Sequence, residues 1–237
     1  MNATRLRPGL WGLAVAACLL AAGLVALGTW QLQRRAWKHD LVARMDARLQ
    51  AAAVPATGCP CEPYTRVFAH GAFAHDRETL VQAVTEAGPG FWVLTPLVGE
   101  GGAILINRGF VPRERRDPAT RPAGQVAGPV RVTGLLRLTE PGGAFLRSND
   151  PAGGRWYSRD VAGIAASRGL SGAAPYFVDA DATPNPGGLP VGGLTVVAFP
   201  DNHLVYALTW FTLAAMVLGA LAYTLRDAVR SRNDRSA

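Results

Sequence analysis

The chain lacks a P-loop, a dinucleotide-binding fingerprint, a hydrolase nucleophile elbow and a zinc-protease motif. Its Asp and Glu residues are scattered, with no pair spaced for acid–base work, so no catalytic constellation assembles. We therefore expect a protein that is not an enzyme. Cysteine is scarce, at three residues in 237. Cys18, inside an apolar stretch, reads as a small packing residue. Cys59 and Cys61 form a Cys-Pro-Cys triplet in "VPATGCPCEP". A disulfide between residues two apart would close a strained ring. Two thiolates this close could instead bind Cu(I), with no third ligand apparent nearby. Loop cysteines or a redox-active pair are the plainer readings.

Charge is missing from two long stretches, the 26 residues Pro8–Gln33 and the 24 residues Asn202–Leu225. A helix of roughly 20 mostly apolar residues crosses a bilayer. Lipid leaves no other partner for backbone polar groups, so each stretch is expected to be a transmembrane α-helix. A cleaved signal peptide is the rival reading of the first. Its apolar run is long for a signal core, however, and no clean small-x-small cleavage site follows. The second stretch precedes a charged tail, which a GPI signal would not have.

The net charge of +7 is concentrated beside these stretches. Residues 51–225 carry 13 basic and 13 acidic side chains and are neutral. The excess can meet anionic head groups of a lipid bilayer, and a nucleic-acid partner is not expected. Arg5 and Arg7 at one end, with Arg226, Arg230, Arg232 and Arg235 at the other, place both tails in the cytoplasm. Arg34, Arg35 and Lys38 oppose that orientation, but a long loop translocates largely regardless of charge.

Past the first span, Leu41, Met45 and Leu49 repeat every four residues. This predicts that the helix continues as an amphipathic extension until Val54-Pro55. Short strand-like runs follow. "YTRVFAHGAFA" and "ETLVQAV" read as a hairpin around Asp76-Arg77, and "GFWVLTPLV" and "GAILINRGFV" as a hairpin around Gly99–Gly102. "GPVRVTGLLRL", "APYFVDA" and "LTVVAF" add further strands, and residues 158–169 read as one soluble helix with Ser158 as cap and Gly169 as stop. The expected fold class is α+β. Two transmembrane helices flank a mainly antiparallel sheet or small barrel with a short helix.

Among the ionisable residues, His70 and His75 sit at odd spacing on or near a strand, which puts them on opposite faces and argues against a shared metal. Arg108, before Gly109 in "NRGFVP", could offer a fork to a carboxylate or make a structural salt bridge. His203 differs, because an ionisable residue at membrane depth is costly and a functional candidate. Imidazole is also a common axial ligand of haem iron. Tyr206, Ala207, Trp210 and Ala214 follow it on one helical stripe. The alternative is an interfacial belt that merely anchors the helix. Ala14, Cys18, Ala22 and Ala26 on the first span, and Ala215 and Gly219 on the second, are small residues spaced for close helix approach.

Five blocks in order resemble the surfeit locus protein 1 family of cytochrome c oxidase assembly factors. They are "LGTWQLQRRAWKHDLV", "GFWVLTPL", "ILINRGFVP", "RWYSRDV" and "DNHLVYALTWFTLA", covering about residues 27 to 223. Phe110 departs mildly, since the family often has Trp there, and the Cys-Pro-Cys triplet falls in a variable region. The resemblance implies a two-span protein that binds haem a and helps insert it into the catalytic subunit of a haem-copper oxidase, alongside haem a synthase. It implies His203 as the iron ligand, and matches the Gly-x-Trp block to Gly28 and Trp30 and the Arg-Gly block to Arg108 and Gly109. Haem a has an apolar tail, which would lie beside Trp210, with Tyr206 and Trp30 nearby. Its propionates would reach Arg34, Arg35 and Lys38, residues that could equally contact head groups. No transit-like presequence precedes the first span, which sets the expectation of a bacterial inner membrane. The resulting layout has a cytoplasmic tail (1–9), transmembrane helix (10–29), periplasmic β-rich domain (30–202), second transmembrane helix (203–225) and cytoplasmic tail (226–237). A cofactor-free scaffold for oxidase subunits, or a copper chaperone using Cys59 and Cys61, are the alternative functions.

Overall fold

The computed structural model describes residues 8–58, 62–144, 146–195 and 201–233. The chain divides into two compact units, residues 1–44 with 198–237, and residues 45–197. The first is helical. Helix α1 spans Pro8–Gln50, unbroken for 43 residues, or about 65 Å at the α-helical rise. It stops before Val54-Pro55, where the proline restricts its predecessor to extended backbone. Further along the chain lie β1 (Val54–Pro55), β2 (Arg66–Phe73), β3 (Thr79–Thr85), β4 (Gly88–Gly99), β5 (Gly102–Pro112) and β6 (Pro129–Leu138). They are followed by β7 (Gly143–Ala144), β8 (Arg147–Ser148), α2 (Val161–Ser167), β9 (Tyr176–Ala180) and α3 (His203–Asn233). Both α1 and α3 are long and apolar enough to cross a membrane.

The second unit, the β-domain, is built on a seven-stranded sheet in the order β1-β2-β6-β9-β5-β4-β3. Strand β2 pairs along most of its length with β6 and, at Ala72 and Phe73, with β4. The strands β2, β6, β9, β5 and β4 therefore close into a five-stranded barrel, which leaves few open edges. The sheet is mixed rather than purely antiparallel, because β1–β2 and β5–β9 run parallel. β5 is buried on both faces, and its alternation feeds two cores. Ala103 and Leu105 pack with Trp156, Ile164 and Phe177. Ile104 and Ile106 pack with Val67, Leu136 and Val178.

The Gly99–Gly102 hairpin forms as expected, with Gly99 opposite Gly102 across β4 and β5. The hairpin expected around Asp76-Arg77 does not. His75–Arg77 is a 3-10 turn, β2 pairs elsewhere, and β3 pairs with β4 across Glu86-Ala87, where Gly88 takes φ +96°. The tighter turn with its positive-φ glycine sets the pairing. Helix α2 is capped by Asp160, whose carboxylate accepts from Gly163 N at 3.0 Å. Ser158, the expected cap, instead accepts from Gly143 N and Asn149 Nδ2. Gly169 does lie just past the helix end, at φ +62°. Replacing Asp160 by Ala should cost about 1 kcal/mol of stability, read from thermal melts. A loss no larger than that of an exposed control would reject the cap.

Candidate cofactor site

In the helical unit, buried and half-buried positions of α1 recur at Ala14, Ala17, Ala21, Leu24, Gly28, Gln31 and Arg35. On α3 they recur at His203, Ala207, Trp210, Ala214, Val217 and Leu221. This is the alternating three–four spacing of a heptad seam. The helices run antiparallel along it: a Cβ on Gly28 would meet the Phe211 ring at 2.6 Å, and Gln31 bonds His203. The interface therefore differs from the one read in the sequence. Cys18, Ala22 and Ala26 on α1, and Ala215 and Gly219 on α3, are exposed. A strict four-residue repeat advances about 40° per step around the helix and leaves the contact face, whereas the three–four alternation stays on it.

The polar end of this seam surrounds His203, the first residue of α3. Asp201 organises it. One carboxylate oxygen accepts from the backbone N–H of His203 at 3.0 Å. The other lies 2.8 Å from His39 Nε2 and 3.4 Å from Arg35 Nε. The His203 N–H first, and His39 second, hold the Asp201 carboxyl below its usual range. The His203 imidazole is oriented separately, with Nδ1 2.7 Å from Gln31 Oε1. A carboxamide oxygen accepts, so in this pairing Nδ1 is the donor. Among the described residues, Nε2 has no hydrogen-bond partner. A histidine that would hold a haem iron needs its ring oriented by a hydrogen bond at the other nitrogen. The residues present fit that requirement.

The remaining expected site residues separate by flank. Gly28 and Phe211 meet on one flank of the pair, the side to which Arg35 and His39 also turn. At 100° per residue, Trp30 and Arg34 on α1 and Tyr206 on α3 turn to the other flank. Trp30 and Tyr206 are exposed, at 53% and 55%. Arg34 lies over the Trp37 ring, 3.9 Å from its centroid. Trp210 is half-buried on the seam, and Lys38 is half-buried and engaged. Tyr206 is thus the more exposed edge of the stripe it was expected to share with His203, Ala207 and Trp210. Arg35 is shared with Asp201 through Nε, at 3.4 Å. Gln31, His39 and Asp201 were missed in the sequence. The seam spacing from Gly28 through Gln31 to Arg35 was the available signal.

The β-domain carries a second polar cluster. Asp179 is 2% exposed and accepts four hydrogen bonds. Asn107 Nδ2 (2.7 Å) and Arg159 Nη1 (3.3 Å) reach one oxygen, and Arg137 Nη1 (2.8 Å) and Thr195 Oγ1 (3.0 Å) the other. Arg159 also grips Glu140 with two N–H groups. Burial pulls the Arg159 guanidinium down, but the bonds to Glu140 and the charge of Asp179 hold it above its usual range. Arg137, Arg159, Asp179 and Asn107 line a cleft of about 970 Å³ whose walls also include Trp92, Val84 and Leu194. A carboxylate with four donors has no lone pair in reserve for proton transfer.

Arg108 is buried and, among the described residues, donates to Gly124 O and Asn185 Oδ1 rather than to a carboxylate, so the structural salt bridge is not formed. Gly109 adopts φ +127°, where a Cβ would collide with Val191 O at 2.0 Å. His70 is exposed on β2, whereas His75 lies in the 3-10 turn and bonds Val126 O, so the two share no site. Among the described residues no group of three His, Cys, Asp or Glu could hold a metal ion. Cys59 and Cys61 lie outside the described residues.

The chain is similar in sequence to known proteins. The sequence profile of the SURF1 family matches residues 18–215. A mouse protein named Surfeit locus protein 1 is 39% identical over 218 residues, covering 83% of this chain and 70% of its own length. The human protein of the same name is 37% identical over 219 residues, covering 83% and 72%. A SURF1-like protein of Monosiga brevicollis is 38% identical over 219 residues, covering 84% and 82%.

Proposed function

Because this chain belongs to the SURF1 family, we propose that it is an assembly factor for a haem-copper cytochrome c oxidase, taking haem a as cargo and aiding its insertion into the catalytic subunit. The observation that carries the cargo is the state of His203. Gln31 holds Nδ1 at 2.7 Å, and Asp201 holds the backbone N–H at 3.0 Å. The ring is therefore oriented with Nε2 as the nitrogen left for an iron, at the boundary between an apolar helix and a polar turn. Haem a, when bound, would supply an iron that the His203 imidazole would hold. Trp30 and Tyr206 on the open flank offer aromatic surface to an apolar macrocycle, and Arg34 offers a donor to a propionate. In this reading α1 and α3 cross the bacterial inner membrane with both termini cytoplasmic. The β-domain is periplasmic, where it can meet the catalytic subunit and haem a synthase.

The test is an absorption spectrum of the intact protein purified from cells that make haem a. We expect a haem a Soret band in the wild type and its loss in His203→Ala. Glutamine is neutral and cannot replace the imidazole as ligand, so His203→Gln should also lose it. A wild-type preparation without the band would favour a cofactor-free scaffold. A band retained at full strength in both variants would remove His203 from the site.

A further inference from the structure

The β-domain contains a buried positive charge that its own carboxylates leave unbalanced. Arg108 is 1% exposed. One of its terminal nitrogens, Nη2, donates to Gly124 O at 2.5 Å and Asn185 Oδ1 at 2.9 Å, and its guanidinium stands 4.6 Å from the Phe73 ring centroid. Nε and Nη1 have no hydrogen-bond partner among the described residues, nor does the buried Nε2 of Gln125, the residue after Gly124. The carboxylate whose field reaches Arg108 is Glu78, and Arg121 takes it. That pair is itself buried, with side-chain exposures of 1% for Arg121 and 5% for Glu78. Burial lowers the Arg108 guanidinium to about 10, with Glu78 opposing and Arg121 reinforcing the shift. A buried cation without a partner is among the costliest features a fold can keep.

Arg108 lines one groove, of about 250 Å³. Its walls include Phe73, Ile106, Val126, Val130 and Val132. The charges elsewhere on its lining, Arg131 and Asp181, are of opposite sign, so the net charge belongs to Arg108. The volume falls below the ~300–1,000 Å³ of clefts that hold drug-sized ligands, which limits the occupant to a small molecule. The planar guanidinium fork matches a carboxylate, and the walls match a short aliphatic chain.

We propose that this groove binds a monocarboxylate on a short apolar chain, with Arg108 as its counter-ion. The site lies wholly in the β-domain and is independent of the haem reading.

Butyrate is the probe, and butyramide is its uncharged counterpart of the same shape. The full chain in dodecyl maltoside is titrated with each at constant ionic strength. Binding is followed by calorimetry, and by the melting temperature, which a native-state ligand raises. We expect saturable binding of butyrate and none of butyramide. Arg108→Met should weaken butyrate at least ~30-fold, the loss typical when one partner of a buried hydrogen-bonded charge pair is removed. Val132→Trp fills the groove and leaves the charge in place, so it should also abolish binding. It serves as the test if Arg108→Met fails to fold. The proposal is overturned if wild-type protein shows no saturable butyrate binding, if butyramide binds equally well, or if the groove-filling variant still binds butyrate.

Discussion

Replacing Asp179 by alanine is expected to destabilise the β-domain by about 3–5 kcal/mol, the range seen when one member of a buried ion pair is removed. Four donors converge on this carboxylate, and Arg137 and Arg159 are both largely buried beside it. The truncation strands Asn107 Nδ2 and the Thr195 hydroxyl. It also leaves two guanidiniums to share Glu140, which sits 3.5 Å from Arg137 and 2.6 Å from Arg159. For a unit of this size the loss corresponds to a fall in melting temperature of about 10 °C. Asp179→Asn keeps one acceptor and the shape, so it should lie between wild type and the alanine variant. Tryptophan fluorescence follows the unfolding, because Trp156 is buried in the neighbouring core. A loss under 1 kcal/mol for the alanine variant would mean that water or Glu140 replaces the carboxylate.

Gly109→Ala should cost on the order of 4 kcal/mol, at the upper end for a single substitution. Two penalties coincide. At φ +127° a side chain is strained, and its Cβ would lie 2.0 Å from Val191 O. The obstacle is backbone, so no rotamer relieves it. Phe110 and Val191 exchange two hydrogen bonds there, Phe110 N to Val191 O and Val191 N to Phe110 O, both 2.9 Å. The collision should therefore detach the segment around Val191, and hydrogen exchange at Val191 N–H should rise with the fall in stability. Gly128→Ala is the control. It has positive φ, +81°, but open space around its Cβ, and should cost only about 1 kcal/mol. Equal losses at both glycines would assign the effect to strain alone.

What the sequence revealed follows the distance over which each signal acts. The β4–β5 hairpin was legible because its turn glycines and both strands are contiguous. The β2–β3 hairpin was misread because β2 finds its main partner in β6, from Arg66↔Leu135 to Ala72↔Pro129, and nothing local announces a partner so far along the chain. The cap of α2 was displaced by two residues because two polar residues compete there. Asp160 caps, and Ser158 is drawn to the β7–β8 side. The Asp179 cluster was invisible, since its donors come from residues 16 to 72 positions away. His203 stood out by its setting at the head of an apolar run. Its orienting partner Gln31, 172 residues earlier, needed the seam to be located first.

That seam has a consequence for how the two helices choose their phase. From Ala14 to Leu24, α1 presents small and aliphatic residues that α3 meets with alanines and other aliphatics. Such a surface is nearly degenerate: a slip of one heptad, about 10 Å along the axis, sets like against like. The polar end is not degenerate. One heptad before Gln31 stands Leu24, and one heptad after it Lys38, and neither repeats the carboxamide that meets the imidazole. A single polar pair in an apolar seam fixes alignment in this manner in coiled coils. His203 is thus both ligand candidate and detent. Removing its imidazole takes away the ligand nitrogen and at the same time one of the contacts that hold this alignment, beside those of Asp201 with Arg35 and His39 and of Phe211 with Gly28. Glutamine at 203 would keep a hydrogen-bonding group opposite Gln31 and so retain the detent without the ligand.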